Sequence, residues 1–251
     1  MSATHEPAAI LSHLKSADGS ATFSYAGYTV IGAVNGPIEV QRRDELPEEA
    51  VVDVVVRPAA GVGGTRERHL ESLLQSTLRQ IILISNFPRT LIQITLQVTV
   101  APENEYVNTK VAQSSTNLSI LPALIQTAIL ALLSATIPLT ATLTSAVLAF
   151  VMDEGANKIV VNPSAREIEL SRSLHAFAFT SYDDLVLTES EGEFTLKEWK
   201  DALESARGQC CRPPQSNDDI DMNDEVHTGA DLRKFTRSTM ETQIAADLYW
   251  K

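Results

Sequence analysis

The sequence predicts an α+β fold, an α/β sandwich in which β-sheets pack against a buried central helix, with further helices near the C-terminus. Two patterns indicate this fold. Short runs with alternating apolar residues, typical of strands, fill much of residues 21–100 and return at 142–188. A helical stretch at 119–135 is apolar on every side, so it must be buried, as the centre of such a layered fold requires.

The first strands form a hairpin. Residues 21–25 and 28–34 are rich in β-branched and aromatic side chains and flank a turn that contains glycine. The sequence NGP at 35–37 breaks the second strand, which 38–41 can resume. Residues 1–18, before the hairpin, are predicted as a short helix or a frayed arm.

The remaining elements are predicted from the periods of strand and helix. A polar stretch at 103–115 has neither period and is predicted as an extended loop. Thr195 and Glu198 have the spacing of a capping box and predict a helix that begins there. The remaining strands are predicted at 51–56, 91–100, 142–152, 159–161, 173–180 and 185–188, and the remaining helices at about 65–82, 195–207 and 230–249.

Length and composition indicate a folded protein with a real core. The chain has 251 residues, enough for one large or two small domains, and 44% of them are apolar. We predict an arm at 1–18 and a single domain at 19–251. A segment at about 212–228 is rich in proline and acidic residues and has no apolar period, so we predict a disordered acidic insert there.

Charge and cysteine content exclude several classes of protein. A net charge of −12 argues against a protein that binds nucleic acid by bulk charge, so any RNA contact must be local or shared with other chains. The adjacent Cys210 and Cys211 fit neither a disulfide framework nor a metal site, which indicates a reducing compartment. The first residues lack the pattern of a secretory signal. Pro122 and Gln126 interrupt the apolar stretch 118–139, which favours a buried helix and no membrane contact.

A small positive corner follows the strand at 51–56. A glycine-rich turn at 61–64 leads to Thr65, which can cap a helix, and Arg66 and Arg68 lie in the first turn of that helix. The free N–H groups and the dipole of a helix start favour an anion, so these residues could bind phosphate. The alternative is an ordinary turn with solvated arginines. No histidine has metal-ligand spacing, and we expect neither a metal nor a cofactor.

Four short motifs carry a resemblance to a known family. They are GYTV at 27–30, VNGPIEV at 34–40, VRP at 56–58 and GTRER at 64–68. Together they resemble the ribonuclease PH family of phosphorolytic 3′-to-5′ exoribonucleases, and within it the RNase PH-like ring subunits of the eukaryotic RNA exosome. The resemblance covers about residues 19–207 and implies an RNase PH-like fold.

The resemblance also implies where an active site would lie, and the sequence departs from it. Arg66 matches the family arginine that holds phosphate. The Gly-Thr-Arg that opens the central helix in active members reads NLSIL at 117–121, without an arginine. The window at 162–175, where the family has two aspartates, has only Glu167 and Glu169 as acids, which on a strand would share a face. We therefore expect no catalytic residues.

The function implied by the resemblance is that of a non-catalytic structural subunit of the exosome core ring, which supports 3′-to-5′ RNA processing and degradation. Its partners would be other RNase PH-like subunits in a hetero-hexamer, S1/KH-domain cap subunits and an associated hydrolytic exoribonuclease. Single-stranded RNA would pass through the shared channel, contacted by Arg66, Arg68, Arg42 and Arg43. The expected location is the nucleus and nucleolus, and also the cytoplasm. Two alternatives stay open. One is an active enzyme, either a stand-alone phosphate-dependent 3′-to-5′ exoribonuclease or a remodelled nuclease with Glu167 and Glu169 as acids, and the other is a module that binds only protein.

Overall fold

The structure is a computed structural model that describes residues 6–102, 118–153, 156–211 and 231–249. The predicted loop at 103–115 and the predicted insert at 212–228 lie outside the described residues. The first sheet contains β1 (Ala8–Leu11), β2 (Gly19–Tyr25), β3 (Tyr28–Glu39), β4 (Val51–Arg57) and β5 (Thr90–Val100). The second contains β6 (Leu143–Asp153), β7 (Ala156–Val161), β8 (Ser171–Thr180) and β9 (Leu185–Gly192). The helices are α1 (Thr65–Ile81), α2 (Leu121–Ser134), α3 (Ala165–Leu170), α4 (Leu196–Cys210) and α5 (Leu232–Asp247), with short 3₁₀ turns at Ile84–Asn86 and Leu118–Ile120.

The first sheet buries one face. Its strand order is β1-β2-β3-β5-β4, and β4 runs parallel to β5 while the other neighbours are antiparallel. Helix α1 makes the crossover between the two parallel strands, which cannot be joined by a tight turn. Val34, Ile94 and Val54 lie side by side across the sheet and are all buried, so α1 and α2 pack on the same face.

The N-terminal segment is partly a strand, so the prediction of a helix or frayed arm at 1–18 is wrong for Ala8–Leu11. These four residues pair antiparallel with β2, from Ala8 opposite Ser24 to Leu11 opposite Ala21. Ala9 and Leu11 pack against the core, whereas Ile10 faces outward. A four-residue strand shows too few alternations to be recognised from its own sequence, and the partner strand stabilises it.

The predicted hairpin is confirmed, and its second strand is longer than expected. Ala26 and Gly27 both have positive φ, 50° and 81°, as a two-residue turn with the twist of the flanking strands requires. The predicted break at 35–37 is wrong, because β3 continues to Glu39. Gly36 and Pro37 are accommodated by a shift in the register of β3 against β5, which lies between Asn35 and Ile38.

Helix α2 lies at the centre of the molecule, as predicted. Every residue from Leu121 to Leu132 is buried, and its neighbours come from both sheets. A Cβ atom on Gly19 would lie 2.4 Å from the backbone N of Ala135, so this glycine allows β2 to approach the end of the helix. Across the described segments, no helix combines the length and the apolar character needed to cross a membrane.

The second sheet has the order β7-β6-β8-β9 and carries helix α4 on the face turned away from the main core. Helix α4 packs there against Phe177 and Phe179 through its small residues Ala202 and Ala206, in a cluster separate from the main core. Thr195 begins this helix with the predicted capping box, and its hydroxyl accepts from the N–H of Glu198. Helix α5 packs beside α2: Phe235 contacts Phe23 at a ring distance of 5.8 Å, and Gln126 donates to the hydroxyl of Thr236.

Candidate functional site

Two helices begin at the same end of the first sheet. Thr29 of β3 lies opposite Val100 of β5, and Arg57 of β4 lies opposite Gln97. The start of β3 and the ends of β4 and β5 therefore lie at the same end of the sheet. Helix α1 starts just after β4, and α2 starts beside Tyr28, so both helix N-termini are at this end. It is the place where the sequence predicts a phosphate site.

The start of α1 is capped differently from the prediction. Gly64 is the N-cap, with extended backbone angles, and Thr65 is the first helical residue, so the prediction of Thr65 as the cap is wrong. The Oε2 atom of Glu67 accepts from the N–H of Gly64 at 2.6 Å. Glycine reaches the extended cap conformation at no steric cost, and the carboxylate bonds one of the N–H groups at this helix start.

Arg66 and Arg68 lie in this first turn, as predicted. Arg66 is half-buried and Arg68 is exposed. The loop before them is also exposed, with Val62 at its tip 96% exposed. Two guanidinium groups on an exposed helix start can contact a phosphate of a passing chain.

The start of α2 carries no positive charge in its described residues. Leu118 and Ile120 are buried, and the hydroxyls of Ser119 and Tyr28 lie 2.7 Å apart. Residue 117, the first of the predicted window, lies outside the described residues. A neutral hydroxyl pair thus occupies the position where the resemblance implies an arginine.

A small cavity lies beside this hydroxyl pair. It has a volume of about 20 Å³, and its walls include Tyr25, Tyr28, Ser119 and Asn162. Such a space is large enough for about one water molecule. The side-chain amide of Asn162 donates to the Tyr25 hydroxyl at 2.9 Å, and burial raises the pKa of Tyr25, which keeps this hydroxyl protonated. The cavity therefore lies where the two sheets meet, and its volume is too small for a substrate.

The two candidate acids lie on a helix, so the prediction that Glu167 and Glu169 share a strand face is wrong. Both belong to α3, where residues two positions apart point in nearly opposite directions. The Oε2 atom of Glu167 accepts from the N–H and from the hydroxyl of Ser164, each at 2.7 Å. Glu167 completes a capping box, and Glu169 is exposed on the surface. The sequence Ser-Ala-Arg-Glu at 164–167 is the signal that could have predicted this helix.

Arg42 and Arg43 lie at the opposite end of the first sheet from Arg66 and Arg68. They follow β3 in a turn, and the end of β3, Glu39, pairs with Thr90 at the start of β5. Gln97 lies seven positions further along β5 than Thr90, a distance of roughly 23 Å along a strand. Arg43 pairs with Asp44 at 3.4 Å, and its side chain is 85% exposed, so the pair is weak. The four predicted arginines therefore form two separate pairs.

His175 and Trp199 lie in the interior of the second sheet and its packing against α4. His175 is fully buried, and its ring nitrogens lie 2.8 Å and 3.1 Å from the hydroxyls of Ser190 and Ser173. Trp199 packs edge-on against Phe177 at 6.0 Å. Within residues 6–102, 118–153, 156–211 and 231–249, no three histidine, cysteine or acidic residues are grouped to hold a metal ion.

The sequence matches a known family over residues 7–138, and that family is described as RNase PH, "3' exoribonuclease family, domain 1". A related protein is "Exosome complex component RRP46" of Saccharomyces cerevisiae. It is 33% identical over 207 residues, which cover 80% of this chain and 87% of the relative.

Two solved structures have a similar fold. The crystal structure of rice (Oryza sativa) Rrp46 has a TM-score of 0.67 at 24% identity and covers 82% of this chain and 88% of that chain. The archaeal exosome core has a TM-score of 0.62 at 16% identity and covers 80% of this chain and 82% of that chain. At these identities the likeness concerns the fold alone, and the predicted fold is confirmed.

Proposed function

Because this chain belongs to the RNase PH family of 3′ exoribonucleases, as its motifs predict, we propose that it is a non-catalytic structural subunit of an RNA exosome core ring, of the RRP46 type. The relative from Saccharomyces cerevisiae, which aligns over most of both chains, is named as an exosome component. One of the two solved structures with a similar fold is the core of an archaeal exosome. Support for the loss of catalysis comes from the side chains of this chain.

The observation that carries the proposal is the bonding of Glu167. A phosphorolytic enzyme needs acidic groups aimed at the leaving oxygen, where charge develops in the transition state. Glu167 instead bonds Ser164 at the start of α3, and Glu169 points away from it into solvent. A carboxylate that already accepts two hydrogen bonds from its own helix start is not positioned to move a substrate proton.

The described residues of the phosphate half of the site also support the proposal. Arg66 remains at the start of α1, but the described start of α2 has the neutral pair of Ser119 and Tyr28. Phosphorolysis requires the attacking phosphate to be held in a defined orientation, and a single half-buried arginine does not fix that orientation by itself. The corner is instead suited to a loose, sequence-independent contact with an RNA phosphate.

The proposed assembly is a hetero-hexamer with other RNase PH-like subunits, joined by S1/KH-domain cap subunits and an associated hydrolytic exoribonuclease. Single-stranded RNA passes through the shared channel. Arg66 and Arg68 contact it at one end of the first sheet, and Arg42 and Arg43 contact it at the other. Two separate pairs suit an extended strand that runs along the chain. The net charge of −12 requires that partners supply most of the positive charge of that path. The proposed location is the nucleus and nucleolus, and also the cytoplasm.

The test is a phosphorolysis assay with the purified chain. Single-stranded RNA is incubated with the chain and inorganic phosphate, and the release of nucleoside diphosphates is measured beside an active phosphorolytic enzyme of the family as the positive control. We expect no release above the buffer blank. Release that scales with the concentration of the chain and is lost in Arg66→Glu would overturn the proposal.

A second experiment tests the role in the ring. The native mass of the complex purified with this chain is measured, and a monomer or a homo-hexamer would contradict that role.

A further inference from the structure

The two sheets have four edge strands, and three of them are protected. The edge of a sheet presents unpaired N–H and C=O groups that can pair with another chain, so proteins cover edges or place charges on them. On β4, the Oε1 atom of Glu71 accepts from the N–H of Val56 at 2.9 Å, and the amide of Gln75 donates to the carbonyl of Val52 at 2.7 Å. Helix α1 therefore closes this edge.

The edges of the second sheet carry charged side chains. Glu189 and Glu191 lie on β9, and Lys158 lies on β7. Charges along an edge strand oppose pairing with a second strand, because pairing would remove them from water. The second sheet therefore resists strand addition at both edges.

Within the part of the chain that the structure describes, strand β1 has neither kind of protection. Its sequence is Ala-Ala-Ile-Leu, without charge, and Ile10 is 64% exposed on the outer face of the sheet. No side chain among the described residues bonds the outer backbone groups of this strand in the way that α1 bonds those of β4.

The hydrogen-bond ladder shows which groups of β1 are available. The N–H of Ser12 donates to the carbonyl of Ser20 at 2.8 Å, in register with the pairing of Ile10 and Thr22. In an antiparallel pair the hydrogen-bonded residues alternate, so Ala8 and Ile10 face β2. The N–H and C=O groups of Ala9 and Leu11 then point to the outside of the sheet.

We propose that β1 is a strand-addition edge, and that an extended segment of a neighbouring, different subunit pairs with it in the ring. This inference rests on the proposed function. The added strand exchanges hydrogen bonds with Ala9 and Leu11 and covers Ile10 with an apolar side chain of its own. A second copy of this chain is a poor occupant, because each copy carries a net charge of −12 and the two would repel each other.

The pairing is one part of a larger interface. Two residues contribute two N–H and two C=O groups, far fewer than the contacts of a stable protein–protein interface. The role of β1 is therefore to fix the register and orientation of the neighbour, while other surfaces supply most of the affinity. A change at β1 should lower assembly without abolishing the fold of the free chain.

The direct test is amide exchange in the free chain and in the purified ring, measured at single residues. The amides of Ala9 and Leu11 should exchange at least 10-fold more slowly in the ring. The amide of Ile10, which already bonds β2, should change little and serves as the internal control. Unchanged exchange at Ala9 and Leu11 in a ring of the expected native mass overturns this inference and leaves the proposed function intact. A chain that purifies as a monomer overturns both.

A variant series supports the same test. Ala9→Pro removes an outward N–H without removing a bond to β2, and Ala9→Val is the matched control that keeps the N–H. Melting of the free chain shows whether each variant folds. We expect Ala9→Pro to lower the fraction of chain recovered with a tagged ring partner at least 5-fold relative to Ala9→Val. Equal recovery of two folded variants would overturn the inference. Should Ala9→Pro fail to fold, the exchange measurement on the natural chain decides.

Discussion

Glu167 accepts two hydrogen bonds from Ser164, from its N–H and from its hydroxyl, each at 2.7 Å. This contact completes the capping box of a six-residue helix, with Ser164 as the N-cap and Glu167 as the third helical residue. It also separates two readings of the sequence. An acid used for catalysis would face a substrate, whereas a capping acid faces its own backbone.

A first prediction follows for this cap. Glu167→Gln should lower the free energy of unfolding by about 1 kcal/mol, since an amide is a weaker acceptor for the N–H and the hydroxyl of Ser164. Glu169→Gln, at the exposed position two residues on, should be neutral. Urea denaturation of both variants checks this. Equal stability of the two variants would show that the cap contributes nothing.

A second prediction concerns the arginine pairs. In the assembled ring, Arg66→Glu with Arg68→Glu, and separately Arg42→Glu with Arg43→Glu, should each reduce crosslinking of single-stranded RNA to this chain several-fold. The slope of log affinity against log salt should fall by roughly 0.7 for each lost phosphate contact. Lys234→Glu with Arg237→Glu on α5 makes the same change of charge and should leave crosslinking unchanged. An effect as large in this control would mean that only total charge matters.

A third prediction concerns the contact of β2 with α2. Gly19→Ala places a Cβ atom 2.4 Å from the backbone N of Ala135 and 2.5 Å from the carbonyl O of Ala131, so strand and helix must move apart. We expect a loss of about 1–3 kcal/mol in the free energy of unfolding. Gly208→Ala, in α4, meets no atom within 4 Å and should stabilise by about 0.5–1 kcal/mol. Denaturant midpoints of the two variants should shift in opposite directions.

A fourth prediction concerns pH. Burial lowers the pKa of His175 below its ordinary value, partly offset by the negative charge of Glu198. The folded state holds the neutral ring between the hydroxyls of Ser173 and Ser190, so the unfolded chain takes up the proton first as the pH falls. This contribution to stability is present above the ordinary histidine pKa, about 6.5, and is lost as the pH falls from there towards the lowered pKa.

Melting temperatures measured between pH 7.5 and pH 5.5 check this prediction. The natural chain should lose stability over this range, and His175→Gln should lose less. His69→Gln, at an exposed position, should keep the full slope of the natural chain. The assignment to His175 would be wrong if His175→Gln and the natural chain showed the same slope.

Local patterns predicted the elements whose causes are local. The apolar stretch at 119–135 predicted a buried central helix because a helix with apolar side chains all round has no polar face for solvent. Thr195 and Glu198 predicted the start of α4 because a capping box lies within four residues. The turn at Ala26 and Gly27 predicted the first hairpin, because the turn and the strands that flank it are adjacent in the sequence.

The errors arose where a distant partner decides the local structure. Strand β1 is held by its pairing with β2, and its four residues carry no sufficient pattern of their own. The interruption at Gly36 and Pro37 is bridged by pairing with β5 on both sides. Helix α3 is an omission of another kind, since the capping box at Ser164 and Glu167 lies within four residues and is by itself a signal for a helix start.

The sequence by itself determined the fold class, the buried central helix and the family, because periodicity, caps and short motifs depend on neighbours along the chain. Only the tertiary structure decided what the site residues face. The pairing of Tyr28 with Ser119 joins residues 91 positions apart, and no local pattern encodes it. The separation of Arg42 and Arg43 from Arg66 and Arg68 depends on β3 and β4 leaving the sheet at opposite ends. That direction is fixed by the strand pairing of the whole sheet, since each strand takes its place from the hydrogen bonds of its neighbours.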